Sequence, residues 1–145
     1  MDPLSAAASI ITVLELALKI SDYLNIKDAP KERLRCWRET VSLCGLLTEL
    51  KCLLKGEHAT EEWFSRVRAL TVENGPIDQF KQTLEQLQGK VTSDGRVSEA
   101  VGVMTWNFSK KELRNIFERM ERLKSSVQLA LEMAHMQESS QLFRA

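Results

Sequence analysis

The stretch LSAAASIITVLELALKISDYL, residues 4–24, decides how the rest of the chain must fold. Placed on a helix, its polar residues Ser5, Ser9, Thr12, Glu15, Lys19 and Asp22 recur every three or four positions and fall on one narrow stripe. Leu4, Ile10, Ile11, Val13, Leu14, Leu16, Leu18, Ile20 and the alanines cover the remaining circumference. A surface helix carries an apolar band of about 100° or somewhat more. This one is apolar on most sides, so it is expected either to lie among other helices or to be able to leave them for another apolar medium. Asp2 before Pro3 reads as a capping carboxylate and a proline at the first helical position. The uncharged run from Pro3 to Leu14 is shorter than the roughly 20 apolar residues of a bilayer span. Asp2 is the only early charge, where an export signal has a basic start. Neither a permanent span nor an export signal is expected.

Working outward, Asn25-Ile26-Lys27 reads as a connector, with Asp28 as a cap and Pro30 in the first turn of a second helix that ends near Lys55 and Gly56. Its expected buried face is Leu34, Trp37, Val41 and Cys44, with Leu43, Leu46, Leu47, Leu50, Leu53 and Leu54. Thr60 caps a shorter helix lined by Trp63, Phe64, Val67 and Leu70. Glu73-Asn74-Gly75-Pro76 is the strongest punctuation in the chain, and Pro76 is placed to open the next helix. There Ile77, Phe80, Leu84, Leu87 and Val91 recur by three and four. Ser93-Asp94-Gly95 closes that helix, and a short one follows with Val97, Ala100, Val101 and Met104 inward. Ser109-Lys110-Lys111-Glu112 has the spacing of a capping box. The last helix places Leu113, Ile116, Met120, Leu123, Val127, Ala130 and Ala134 on one side. Beyond Met136 the pattern fades. No segment alternates as a strand does. The expected fold is all-α, an antiparallel bundle of four main helices with one or two short ones, over residues 1–138, with 139–145 a frayed end or the start of a linker.

A chain of 145 residues fits one domain and can bury roughly 70% of the surface its unfolded form exposes. Lys plus Arg and Asp plus Glu are both 20, which gives no electrostatic argument for a nucleic-acid partner. Cys36, Cys44 and Cys52 are spaced by eight. Eight residues turn a helix through about 800°, so successive thiols drift about 80° and do not converge. Reduced cytosolic thiols are expected, with no metal and no cofactor. No Walker loop, G-x-S-x-G or H-E-x-x-H is present, and His58 and His135 lie in polar surroundings, so catalysis is not expected.

Two groups remain as functional candidates. The first is the N-terminal helix, with Leu4, Ile10, Ile11, Val13, Leu14 and Leu18 as membrane-active residues if it is released. At rest the same residues serve as a core. The second is the basic group Lys31, Arg33, Arg35 and Arg38, three of them near a helix N-terminus where the dipole disfavours cations. These are contacts for an anionic lipid or partner, or a face neutralised by Asp28, Glu32 and Glu39.

The opening Met1-Asp2-Pro3-Leu4-Ser5 with Ala8-Ser9-Ile10, the turn Glu73-Asn74-Gly75-Pro76-Ile77-Asp78-Gln79-Phe80, and Met120-Glu121-Arg122-Leu123-Lys124 together resemble the N-terminal domain of fungal STAND proteins. These are NOD-like receptors with an NTPase domain and repeats. The resemblance spans nearly the whole chain. It implies a HeLo-like cell-death domain, similar in form to the N-terminal helical bundle of the mixed lineage kinase domain-like pseudokinase. It further implies a cytoplasmic effector, recruited conditionally to membrane, that self-associates on activation and engages membrane lipids through residues 4–24, and that is either one domain of a longer protein with a downstream NTPase domain or a standalone relative. Glu15 and Lys19 depart from an uninterrupted apolar surface. The alternative function is a protein-interaction bundle that recruits a partner or restrains a receptor through outer-face residues such as Arg119 and Arg122.

Overall fold

A computed structural model describes residues 3–56, 61–91 and 108–144. They form helices α1 (Pro3–Leu24), α2 (Lys31–Lys55), α3 (Glu61–Thr71), α4 (Pro76–Val91) and α5 (Lys110–Arg144), with no strand among the described residues. The fold is an all-α bundle. The expected short helix over Val97 to Met104, the caps at Asp2 and Thr60, and the turn at Ser93-Asp94-Gly95 lie outside the described residues.

Local chemistry explains most helix ends. Ser109 and Glu112 close the expected capping box: the Glu112 amide donates to Ser109 Oγ at 3.1 Å and the Ser109 amide donates to Glu112 Oε1 at 3.3 Å. Those Ser109 hydrogen bonds hold the Glu112 carboxyl below its ordinary range. Helix α5 does not stop where its apolar pattern fades, but continues through Ser139 and Ser140 to Arg144. Extending an existing helix adds one backbone bond per residue fixed, so it needs no further nucleus.

The start of α2 differs from expectation. Asp28 does not cap it. Its φ of 60° turns the connector instead, a conformation that Asp tolerates better than most residues. Pro30 is the N-cap, without a side-chain hydrogen bond, and its carbonyl accepts from Leu34 N at 3.1 Å.

Between α3 and α4, Asn74 takes a φ of 61° and Gly75 N–H donates to the Val72 carbonyl at 2.9 Å. Asp78 Oδ2 accepts from Asn74 N at 2.9 Å, and Gln79 Nε2 donates to Asn74 O at 3.1 Å. Gly75 is required here for space, because a Cβ would lie 2.9 Å from the Val72 carbonyl oxygen.

The apolar stripes of the five helices among the described residues meet in one core. From α1 come Ala6, Ala7, Ile10, Val13, Leu14, Ala17, Ile20 and Leu24; from α5 come Ile116, Met120, Leu123, Val127, Ala130 and Leu131. Helix α1 rests on α2, α3 and α4, and α5 packs on α2, α3 and α4. Trp63 of α3 donates its indole N–H to the Ala130 carbonyl at 2.8 Å, satisfying a buried donor.

The pairs Glu39–Lys124 (3.8 Å) and Glu49–His135 (3.3 Å) advance in step along α2 and α5. These two helices therefore run in the same direction.

The buried face of α2 also departs from expectation over its first half. Arg33, Cys36 and Thr40 face inward, Leu34 and Trp37 are half-buried, and Val41 is 45% exposed. Leu43, Leu47, Leu50 and Leu54 set the inward direction, and at about 100° per residue a straight helix carries that face back through Thr40 and Cys36 to Arg33.

Thr40 Oγ1 is buried with no hydrogen-bond partner. Thr40→Val is expected to raise unfolding stability by about 1 kcal/mol in a denaturant titration. Gly75→Ala, forced against backbone, is expected to lower it by about 1–3 kcal/mol in the same assay.

Candidate functional site

Helix α1 is the candidate site, and its polar stripe sorts as the spacing predicts. Ser5, Thr12, Glu15, Lys19 and Asp22 are exposed, with Ser9 half-buried beside them. Glu15 and Lys19 therefore interrupt only the outward face, not the one docked on the bundle. Of the six membrane-active candidates, Ile10, Val13 and Leu14 are buried, Ile11 is half-buried, and Leu4 and Leu18 are 77% and 55% exposed. Leu4, Ile11 and Leu18 are separated by seven residues each, which places them on one side of the helix. The outward surface is thus divided lengthwise, with that apolar edge beside a polar edge of Ser5, Thr12 and Lys19.

The stretch Leu4–Leu24, 21 residues, is long and apolar enough to cross a bilayer by length and composition, a test that the core helix of a soluble protein also passes. Docked on the bundle, α1 buries Ile10, Val13, Leu14, Ile20 and Leu24. At about 1.5–3 kcal/mol each, exposing these five to water removes on the order of 10 kcal/mol, comparable to the entire net stability of a domain. Helix α1 can leave the bundle only for a surface that covers it again.

The basic group does not stay together. Lys31, Arg35 and Arg38 are exposed, whereas Arg33 is 2% exposed. Two residues turn a helix by about 200°, so Arg33 is rotated to the far side from Lys31 and Arg35. Its Nε donates to the Leu24 carbonyl at 3.2 Å, and its Nη2 donates to the Tyr23 carbonyl. The last carbonyls of a helix have no acceptor role inside it and carry the negative end of the dipole. A guanidinium fork from α2 satisfies them at the end of α1. Burial lowers the Arg33 pKa from its ordinary value, but a guanidinium remains charged. Arg33 is therefore removed from the expected lipid or partner surface and becomes a tie between α1 and α2.

On the opposite face, Arg35 stacks over the Phe117 ring of α5 at 3.8 Å from its centroid. That pair lies in an open groove of about 600 Å3 between α2 and α5, lined also by Glu32, Glu39, Lys110 and Arg114. Phe117 belongs to neither the inward series nor the charged outer face of α5, and nothing in the spacing alone brings Arg35 to it. The alternative partner residues Arg119 and Arg122 line a second groove of about 610 Å3 with Pro76, Gln79, Ser125 and Ser126. Carboxylates edge both grooves, so neither is a simple anion site.

Cys36 and Cys44 are buried and Cys52 is exposed. Burial pushes the thiols up, to about 12 for Cys36 and about 11 for Cys44. His135 reaches Glu49 at 3.3 Å on the surface, and His58 lies outside the described residues. Among the described residues no three His, Cys, Asp or Glu side chains gather as a metal set. No protein-family model, curated protein or solved structure matches the chain.

Alkylation at pH 8 is expected to modify Cys52 quickly and to reach Cys36 and Cys44 only when the bundle opens, because both are sealed and almost wholly protonated. Mass spectrometry of the labelled peptides reads this directly.

Proposed function

We propose that this chain is a non-enzymatic effector domain whose helix α1 is stored in a helical bundle and, on self-association, moves into a membrane and permeabilises it. The supporting observation is the surface of α1. It is apolar on most sides, it is held in place by side-chain burial, and it keeps Leu4 and Leu18 in water at rest. Release then adds about 10 kcal/mol of exposed apolar area, which hydrocarbon or neighbouring copies of α1 recover. The resemblance to HeLo-like domains of fungal STAND receptors supports the same reading, with a cytoplasmic resting state, a cell-death outcome and a downstream NTPase domain as the source of the oligomerising signal. In the proposed resting state α1 lies antiparallel to α2, and α4 antiparallel to α5. Lys31, Arg35 and Arg38 are the remaining cations for an anionic headgroup, each contributing about 1 kcal/mol near such a surface.

A second reading is a protein-interaction bundle. The groove that holds Arg119, Arg122, Ser125 and Ser126 favours it, since Arg122 and Ser125 are exposed and Arg119 and Ser126 half-buried beside the first turn of α4.

Forced oligomerisation through a fused inducible module is expected to release dye from vesicles containing anionic lipid. Leu4→Glu with Leu18→Glu changes only exposed positions, so the bundle stays folded and leakage falls at least tenfold. Leu14→Glu tests something different, because Leu14 lies in the core and its substitution destabilises the bundle itself. Intact vesicles at every degree of oligomerisation, with soluble binding abolished by Arg119→Ala and Arg122→Ala, would establish the second reading instead.

A further inference from the structure

We propose that Arg33 is a latch that divides the release of α1 into two steps. The inference rests on the reading of α1 as the mobile element, and it concerns how that helix is restrained. The restraint is uneven along its length. The turns from Leu4 to Thr12 offer the core Ala6, Ala7 and Ile10, with Leu4 in water, so less apolar area holds them. The stretch from Val13 onward offers Val13, Leu14, Ala17, Ile20 and Leu24, and ends in the two carbonyls that receive the Arg33 guanidinium.

Leu24 O also accepts from Ile26 N at 3.1 Å, and Asn25 N donates to Ser21 O at 3.1 Å, so the end of α1 is tied to its connector as well. The N-terminal turns can lift away while these bonds persist. Withdrawing the last turns is a separate event, because it parts a buried cation from the carbonyls of Tyr23 and Leu24 that solvate it in place of water. The first step exposes the N-terminal turns to a membrane or a second copy. The second commits the whole helix.

The test is amide exchange by mass spectrometry on the intact chain, followed by vesicle leakage. In the wild-type protein, amides from Ala7 to Thr12 are expected to exchange at least tenfold faster than those from Ala17 to Leu24. Arg33→Met, which keeps the length of the side chain and loses its donors, is expected to erase that difference. Exchange over Ala17 to Leu24 then rises at least tenfold while α4 and α5 are unchanged. Lys31→Met, two residues away on the exposed side, leaves the gradient intact. Arg33→Lys keeps the charge but not the planar fork and gives an intermediate gradient; it decides the matter if Arg33→Met does not fold.

With the membrane reading correct, Arg33→Met also reaches half-maximal leakage at a lower degree of forced oligomerisation. A uniform exchange rate along wild-type α1, or a gradient unchanged in both Arg33 variants, overturns the latch. A gradient that Arg33→Met abolishes, in a protein that never leaks vesicles, keeps the latch and overturns the membrane function.

Discussion

A helix that is apolar on most of its circumference has to be covered, and that constraint organises the bundle. Helix α1 uses surface from α2, α3 and α4, and its eight buried apolar residues form a continuous part of the core. The cover is incomplete. It leaves a strip bounded by Leu4, Ile11 and Leu18 on one side and by Ser5, Thr12 and Lys19 on the other. The buried part ties α1 to the folded state, and the uncovered part leaves Leu4 and Leu18 in water.

Helix α2 is the complement to this arrangement. Its inward face begins with a cation, passes through a thiol and a hydroxyl, and becomes leucine-rich only beyond Leu43. The polar beginning is where α1 ends, and the pairing of Arg33 with terminal carbonyls turns an unfavourable burial into a specific one. Removing a charge from water is offset only when its hydrogen bonds are replaced, and two helix-end carbonyls do this with the correct sign. Farther along, Glu39–Lys124 and Glu49–His135 lie at the surface between α2 and α5, where exposed pairs contribute roughly 0–1 kcal/mol. They align the two helices more than they stabilise them.

The same energetics bear on the release proposed for α1. Burial of five large α1 side chains is comparable to the net stability of a domain, so spontaneous exposure to water is rare. A trigger does not need to supply that energy if the released surface is covered at once by lipid or by like helices. In the proposed function it needs only to bring such a surface within reach, the role given there to self-association near a membrane.

Periodicity along the chain was sufficient for the helices, because each stripe, proline and cap acts over a few residues. The seams of α3, α4 and α5, the start of α4 at Pro76, the Ser109–Glu112 box and the outward stripe of α1 were all legible in that way. The spacing also contained the separation of Arg33 from Lys31 and Arg35, through the roughly 200° turn over two residues, though a basic run read as a group conceals it. Other features depend on where a second helix lies. The stacking of Arg35 on Phe117, the bond from Trp63 to Ala130, the common direction of α2 and α5, and the use of Arg33 on the carbonyls of α1 each join residues far apart in the chain or across a helix boundary. A helix's own sequence specifies which residues share a face, but packing against neighbours decides which face is turned inward, and only that choice makes a surface cation into a buried tie.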